Sequence, residues 1–131
     1  EIYSKTIKFI IEKPLLGWGA SSFGFIYILN KGITNAQHTH NLSLQIAYDY
    51  GLPASVLLSS TIFFIFTLSF RKIIYSKIED NYYIDKALLA SSFVTISFHL
   101  SDIPYYDARA SILIWTLLSG LKCILDEYKN T

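Results

Sequence analysis

The longest apolar run of the chain covers residues 52–70, and no charged side chain interrupts it. About 20 consecutive apolar residues span the hydrocarbon core of a bilayer, so this run predicts a transmembrane helix. Weaker apolar runs at about residues 87–100 and 110–125 predict two further spans, the first of them short for a full crossing. The pattern therefore predicts an all-α, polytopic membrane protein fragment with three transmembrane helices.

The region ahead of these spans, residues 1–51, is mixed in polarity and predicts a loop region that contains short helices. Residues 2–12 have the spacing of an amphipathic helix. Its apolar side is expected to carry Ile2, Ile7, Phe9 and Ile10. The helix is expected to end at Lys13-Pro14, because a residue before proline is pushed out of the helical region.

A second short helix is predicted over residues 42–50. Asn41 precedes it, and its short side chain can accept from the first free backbone N–H groups of a helix. Gly51 is suited to the end of this helix. The spacing of four between Asn41, Gln45 and Asp49 places these three polar side chains on one face.

Basic residues orient the predicted spans. Arg71 and Lys72 follow the long span directly, and the loop over residues 71–86 carries two further lysines. By the positive-inside rule this loop is cytoplasmic. Residues 1–51 are then expected on the periplasmic face of the inner (plasma) membrane, in a multi-pass protein.

The composition supports membrane insertion and excludes one class of function. Apolar residues make up 52% of the chain and charged residues 16%, whereas soluble domains carry about 25% charged residues. The chain has no basic patch with interleaved aromatic residues, so nucleic-acid binding is set aside. The chain begins at Glu1 in what reads as the middle of a helix. We therefore expect it to be the C-terminal piece of a longer protein with further membrane helices.

Two histidines, His38 and His40, stand directly before the predicted helix over residues 42–50. Histidine gives or takes a proton near neutral pH without a large pKa shift. His40 is the stronger candidate for a base that acts on a hydroxyl, because it abuts a helix with a polar face. The alternative is a histidine that only hydrogen-bonds its own loop, and the residues alone leave both interpretations open.

The same two histidines raise the question of a metal. Their spacing permits a pair of ligands, but no third ligand follows at a convincing distance along the sequence. Asp49 and His99 would join them only through the tertiary structure. We therefore expect no metal site and no cofactor.

Arg109 is placed where the chain is predicted to leave the outer face for its last span. A guanidinium there can grip a diphosphate with paired donors, or form an ion pair with Asp107 or Asp102 that fixes the loop. His99 and Asp102 flank the same loop and are expected to line the same cavity.

Trp18 stands between two glycines in the segment Pro14-Leu15-Leu16-Gly17-Trp18-Gly19. Glycines on both sides of a large ring predict a turn with close backbone approach. Trp18 is interpreted either as the anchor of a structural turn or as part of a substrate-contacting loop.

Two segments resemble motifs of the O-antigen ligase and polymerase family of polytopic membrane glycosyltransferases. The ligase motif is His, then Asn, Ser or Gln, then nine residues, then Gly-x-x-Gly. Here His40 and Asn41 precede nine residues and Gly51, with Ala54 in place of the last glycine. The segment Pro14–Gly19 is similar to the family's Pro-x-x-Gly-x-Gly. The resemblance covers roughly residues 5–70.

The resemblance implies metal-independent transfer of a glycan from an undecaprenyl diphosphate carrier to a glycan or lipid acceptor, by a ligase or by a polymerase. It implies that His40 is the catalytic base. His38, Asn41 and Trp18 are expected to contribute to substrate binding. Arg109 matches no family motif, so its substrate-binding role rests on position.

The arginines that hold the diphosphate in the family lie upstream of the matched region. The 131-residue chain alone is therefore expected to be inactive. Two alternatives from other classes are a membrane transport component whose polar loops line a pathway, and a membrane protein whose loops only bind a partner.

Overall fold

The computed structural model describes residues 1–30, 36–75 and 82–127. Within these ranges the chain is helical and contains no β-strand. The helices are α1 (Ile2–Glu12), α2 (Phe23–Leu29), α3 (Leu42–Tyr50), α4 (Leu52–Tyr75), α5 (Tyr82–Phe98) and α6 (Ala108–Glu127), with a short 3-10 helix at Pro104–Tyr106. The all-α prediction is confirmed over these ranges, and so are the predicted bounds of α1 and α3.

The chain divides into two compact units. The first unit comprises Glu1–Ser59 and His99–Ile103, and the second comprises Ser60–Phe98 and Pro104–Thr131. The first unit thus contains the whole predicted loop region together with the start of α4. It also contains a short segment from far along the chain, and that segment is central to the site.

An aromatic cluster forms the core of the first unit. Phe9 of α1, Phe23 of α2 and Tyr48 of α3 are buried, and the Phe23 and Tyr48 rings meet edge to face with centroids 5.0 Å apart. The buried side of α1 is Thr6, Phe9 and Ile10. Ile7 was expected on this side but is 48% exposed, because it lies at the flank of the stripe that residues spaced three and four apart define.

The second unit is held by apolar contacts among three helices. Its core consists of Ile73 near the end of α4, Leu89 of α5, and Leu121 and Ile124 of α6. A Cβ added to Gly120 would come within 2.8 Å of the Leu88 side chain, so α5 and α6 approach closely at this glycine.

Among the helices that the structure describes, two are long and apolar enough to cross a membrane, α4 over Leu52–Tyr75 and α6 over Ala108–Asp126. In the most apolar stretch of each helix, only 11% (α4) and 22% (α6) is buried, whereas the core helix of a soluble protein is mostly buried. Apolar side chains exposed along such helices favour an apolar surrounding. The structure thus supports membrane association through two of the three predicted spans.

The span predicted over residues 87–100 is corrected to α5, which does not qualify as a membrane span. This helix has 17 residues, or about 26 Å at 1.5 Å per residue, and its first turn carries Asp85. It ends at Phe98, so the last two residues of the predicted span lie outside it. The predicted loop over residues 71–86 is also shorter than expected, because α4 continues to Tyr75 and α5 begins at Tyr82. Residues 76–81 of that loop lie outside the described ranges.

Candidate active site

The segment that carries the two histidines is fixed by the start of α3. Asn41 caps this helix as predicted, because its side-chain oxygen accepts from the Leu44 N–H at 3.1 Å. Thr39 is fully buried between the histidines, and its backbone N–H donates to the Gln45 side-chain oxygen at 2.9 Å. The buried Gln45 in turn donates to Asp49 at 3.0 Å. The polar face predicted for α3 therefore anchors the histidine segment.

A segment from far along the chain, His99–Ile103, docks on this cap. The Leu42 N–H donates to the His99 carbonyl at 3.0 Å, and the Asn41 side-chain amide donates to the Leu100 carbonyl at 3.1 Å. These two bonds hold the segment His99–Ile103 against the helix start. They bring Asp102 beside the two histidines.

His38, His40 and Asp102 form one cluster within the first unit. The His40 Nδ1 and Asp102 Oδ1 atoms are 3.2 Å apart, and the His38 Nε2 atom is 4.0 Å from the same oxygen. The two imidazole rings lie 4.5 Å apart between centroids. The side chains of His40 and Asp102 are 41% and 48% exposed, so the cluster is open to a substrate.

The backbone of His40 adopts an uncommon conformation. Its φ of 55° lies in the left-handed region, which non-glycine residues enter at an energetic cost. The Tyr3 hydroxyl donates to the His40 carbonyl at 3.3 Å and helps to hold this conformation. Such strain is often found at functional sites, where the surrounding structure fixes a side chain in a required direction.

The electrostatics of the cluster favour an ionised aspartate. The backbone N–H of Ile103 donates to Asp102, and this bond, followed by the hydrogen bond to His40, lowers the pKa of the Asp102 carboxyl. Burial lowers the pKa of His38, the positive charge of a protonated His40 lowers it further, and the Asp102 carboxylate opposes both effects. The cluster therefore presents a carboxylate beside imidazoles, of which His38 favours the neutral form.

This arrangement suits a histidine base. A carboxylate beside Nδ1 accepts a hydrogen bond from Nδ1–H and so favours the tautomer whose Nε2 atom carries the free lone pair. The same carboxylate stabilises the imidazolium that forms once Nε2 has taken a proton. His40 and Asp102 together have the geometry of such a dyad.

The two segments that carry the family resemblance pack against each other. Gly51 has φ 89° and ψ 167°, a conformation open almost only to glycine, and a Cβ there would lie 2.2 Å from the Leu15 carbonyl oxygen. The backbone N–H of Trp18 donates to the Tyr48 carbonyl at 2.8 Å, and the backbone N–H of Leu52 donates to the Pro14 carbonyl at 2.7 Å. The glycines thus let the Pro14–Gly19 segment lie on the end of α3.

Two further candidates from the sequence are Trp18 in the first unit and Arg109 in the second unit. Trp18 belongs to the aromatic core: its ring N–H donates to the Phe9 carbonyl at 2.8 Å, and its ring stacks on Tyr48. This is the structural anchor that one interpretation predicted. Arg109 is exposed at the start of α6 in the second unit, and in the part of the chain that the structure describes its guanidinium forms no ion pair with Asp107.

Asp102 is the partner that the sequence analysis did not assign to His40. It was expected beside Arg109, because both belong to the same loop. The pairing with His40 crosses 62 positions, so no spacing rule reveals it. The available signal was topological, since two segments predicted on the same membrane face can meet.

Comparison of the chain with family models, with curated proteins and with solved structures found no match.

Proposed function

We propose that this chain belongs to a membrane glycosyltransferase of the O-antigen ligase type, and that His40, oriented by Asp102, is its general base. The observation that carries the proposal is the 3.2 Å contact between His40 Nδ1 and Asp102 Oδ1 in a partly exposed cluster. The contact involves the histidine that the family motif singles out. Asp102 is not part of that motif, so its contact with His40 supports the proposal separately from the resemblance.

The proposed step transfers one glycan. His40 Nε2 takes the proton of an acceptor hydroxyl as the hydroxyl oxygen attacks the anomeric carbon of the donor sugar. A new C–O bond forms there, and the bond from that carbon to the undecaprenyl diphosphate breaks. The leaving diphosphate takes the bonding electron pair. Asp102 stabilises the protonated His40 until the proton is released.

The placement of the cluster suits a donor anchored in lipid. The chain leaves the first unit after Ser59 along α4, the longest apolar helix, and returns to it at His99. The start of α4, a helix long and apolar enough to span a bilayer, belongs to the same unit as the histidine segment. We propose that this end faces the periplasm of the inner membrane, where membrane lipids and the lipid-linked glycan have access to it.

The diphosphate requires cations that the cluster itself lacks. Arg109 is proposed as one of them, because an exposed guanidinium matches a diphosphate with paired donors. In the family that the chain resembles, further arginines hold the diphosphate. A polymerase of the same family would use the same donor and the same base, and would differ in its acceptor.

Replacement of His40 by alanine in the complete protein tests the proposal. We expect glycan transfer in the native membrane to fall by about 10²–10⁴-fold, the usual contribution of a general base. Asp107→Asn is the control and should leave transfer unchanged, because asparagine keeps the side-chain oxygen that accepts from the backbone N–H of Arg109. Equal membrane levels of the variants must be verified by immunoblot. Full transfer by the His40→Ala protein would refute the role of His40.

A further inference from the structure

The cluster of His38, His40 and Asp102 has a chemistry beyond that of a proton dyad. Each residue offers one ligand atom, and these atoms lie within 4.8 Å of one another. Sequence spacing supplied only the two histidines, and the fold supplies Asp102 as the third group. Two imidazole nitrogens and one carboxylate oxygen are a common ligand set for transition metals.

The distances already approach those of a metal site. Ligands about 2.1 Å from a tetrahedral zinc ion lie about 3.3–3.5 Å from one another. His40 Nδ1 and Asp102 Oδ1 are 3.2 Å apart, and His38 Nε2 and Asp102 Oδ1 are 4.0 Å apart. All three ligand atoms lie within 4.8 Å of one another, so contact with a shared ion requires the His38 imidazole to approach the other two ligands by about 0.6–1.4 Å.

The surroundings hold these ligands in place. Asp102 accepts from the Ile103 N–H at 2.8 Å, a second-shell bond of the kind that orients metal-binding carboxylates. The buried Thr39 fixes the backbone between the two histidines. The partial exposure of the three side chains leaves an entry path for an ion and room for a water ligand.

We propose that His38, His40 and Asp102 bind a divalent transition-metal ion, with zinc as the best match. Imidazole ligands select zinc, cobalt, nickel and copper over magnesium and calcium, which prefer oxygen ligands. Three protein ligands leave at least one coordination position for water, so the site is open and exchangeable. The ion inhibits the protein and takes no part in the reaction.

The inhibitory effect rests on the proposed function of His40. A neutral imidazole bound to metal through Nδ1 carries its proton on Nε2. The Nε2 lone pair that would accept the acceptor proton is then absent, and Asp102 is engaged by the ion. Zinc at this site therefore switches the base off without unfolding the protein.

Binding is tested on the complete protein in detergent, freed of metal with a chelator and without any glycan present. Isothermal titration with Zn²⁺ is expected to show one site, and Co²⁺ is expected to give visible absorption from ligand-field transitions. His38→Ala, His40→Ala and Asp102→Asn should each weaken zinc binding at least about tenfold, since loss of a second-shell partner alone costs 10–100-fold. Asp107→Asn should bind zinc as the unmodified protein does.

A second measurement needs no variant. Zinc should protect His38 and His40 of the unmodified protein from diethyl pyrocarbonate, read by mass spectrometry, and magnesium should not. Absence of one-site zinc binding, or unchanged modification of both histidines with zinc bound, would overturn the metal site.

The inhibition has its own readout. Zinc should reduce glycan transfer by the unmodified protein, and a chelator should restore it. Zinc bound to the three ligands with transfer unaffected would support the metal site and overturn the base role of His40. Absence of zinc binding together with loss of transfer in His40→Ala would overturn the metal site and leave the base role intact.

Discussion

Replacement of Gly51 by alanine tests how the two motif segments are joined. Gly51 ends α3 in a conformation that L-residues with side chains rarely adopt, and this strain costs about 1–3 kcal/mol. The new Cβ would also lie 2.2 Å from the Leu15 carbonyl oxygen and 2.9 Å from the Leu16 nitrogen. Both atoms are backbone, so the Pro14–Gly19 segment must shift as a whole. Overpacking of this kind adds about 1–3 kcal/mol, for a total of about 2–6 kcal/mol.

Gly19 is a matched control in the same unit. Its φ of 95° is also positive, but nothing lies within 4 Å of an added Cβ. Gly19→Ala should therefore cost only the conformational term of about 1–2 kcal/mol. Most of the difference between the two variants should therefore come from the close approach of Gly51 to Leu15.

The assay is unfolding of the complete protein in detergent, combined with hydrogen exchange of the Leu52 N–H, which donates to the Pro14 carbonyl. Gly51→Ala should lower the free energy of unfolding by at least about 1 kcal/mol more than Gly19→Ala. It should also speed exchange at Leu52, whereas Gly19→Ala should not. Equal destabilisation by both variants, with exchange at Leu52 unchanged, would refute the reasoning.

Three further predictions concern the Asn41 cap of α3, the pKa of His38 and the activity of the 131 residues alone. Asn41→Ala should destabilise the first unit by about 1 kcal/mol more than Asn41→Ser, which keeps a capping oxygen, and both should speed hydrogen exchange at Ile103; equal stability would contradict the cap. In the presence of a chelator, NMR titration should place the pKa of His38 below its ordinary value; relative to the unmodified protein, this pKa should rise in His40→Gln and fall in Asp102→Asn. Because the pKa of His38 is lower in the folded than in the unfolded protein, the fold should gain stability as pH rises through these two values. Opposite shifts of the pKa would contradict these couplings. The 131 residues alone should transfer no glycan, and detectable transfer would contradict this expectation.

Local signals in the sequence predicted the local structure well. The cap at Asn41, the stop at Gly51 and the proline after α1 each act within a few residues, so the bounds of α1 and α3 could be read directly. The long apolar run predicted α4 for the same reason. The weak run at residues 87–100 predicted a third span, and the structure has α5 there, Tyr82–Phe98, which is not one of the two described helices long and apolar enough to cross a membrane.

Contacts between distant segments could not be predicted in this way. Asp102 meets His40 only because Asn41 and Leu42 hold the segment His99–Ile103 by hydrogen bonds to its carbonyl groups. Backbone carbonyls carry no sequence signature, so nothing in the residues marks that segment as a partner. Asn41 was assigned to substrate on the family pattern, and its contacts show the added role of joining two segments.

The structural role of Gly51 was predicted in part from the sequence. Its role as a helix stop follows from the sequence, since glycine readily adopts positive φ. The close approach of Leu15 does not follow from it, because that contact depends on the path of the preceding loop. Trp18 is similar: the flanking glycines predicted a turn, and its place in the aromatic core emerged only from the packing around Tyr48.

A double-mutant cycle on glycan transfer tests most directly whether His40 and Asp102 act as one catalytic unit, as we propose. The complete protein should be compared as His40→Ala, Asp102→Asn and the double variant, with Asp107→Asn as control and with zinc removed. We predict that Asp102→Asn lowers kcat with little change in KM, and that the double variant is no slower than His40→Ala alone, because groups that act as a unit are non-additive. Losses that multiply in the double variant would contradict the dyad.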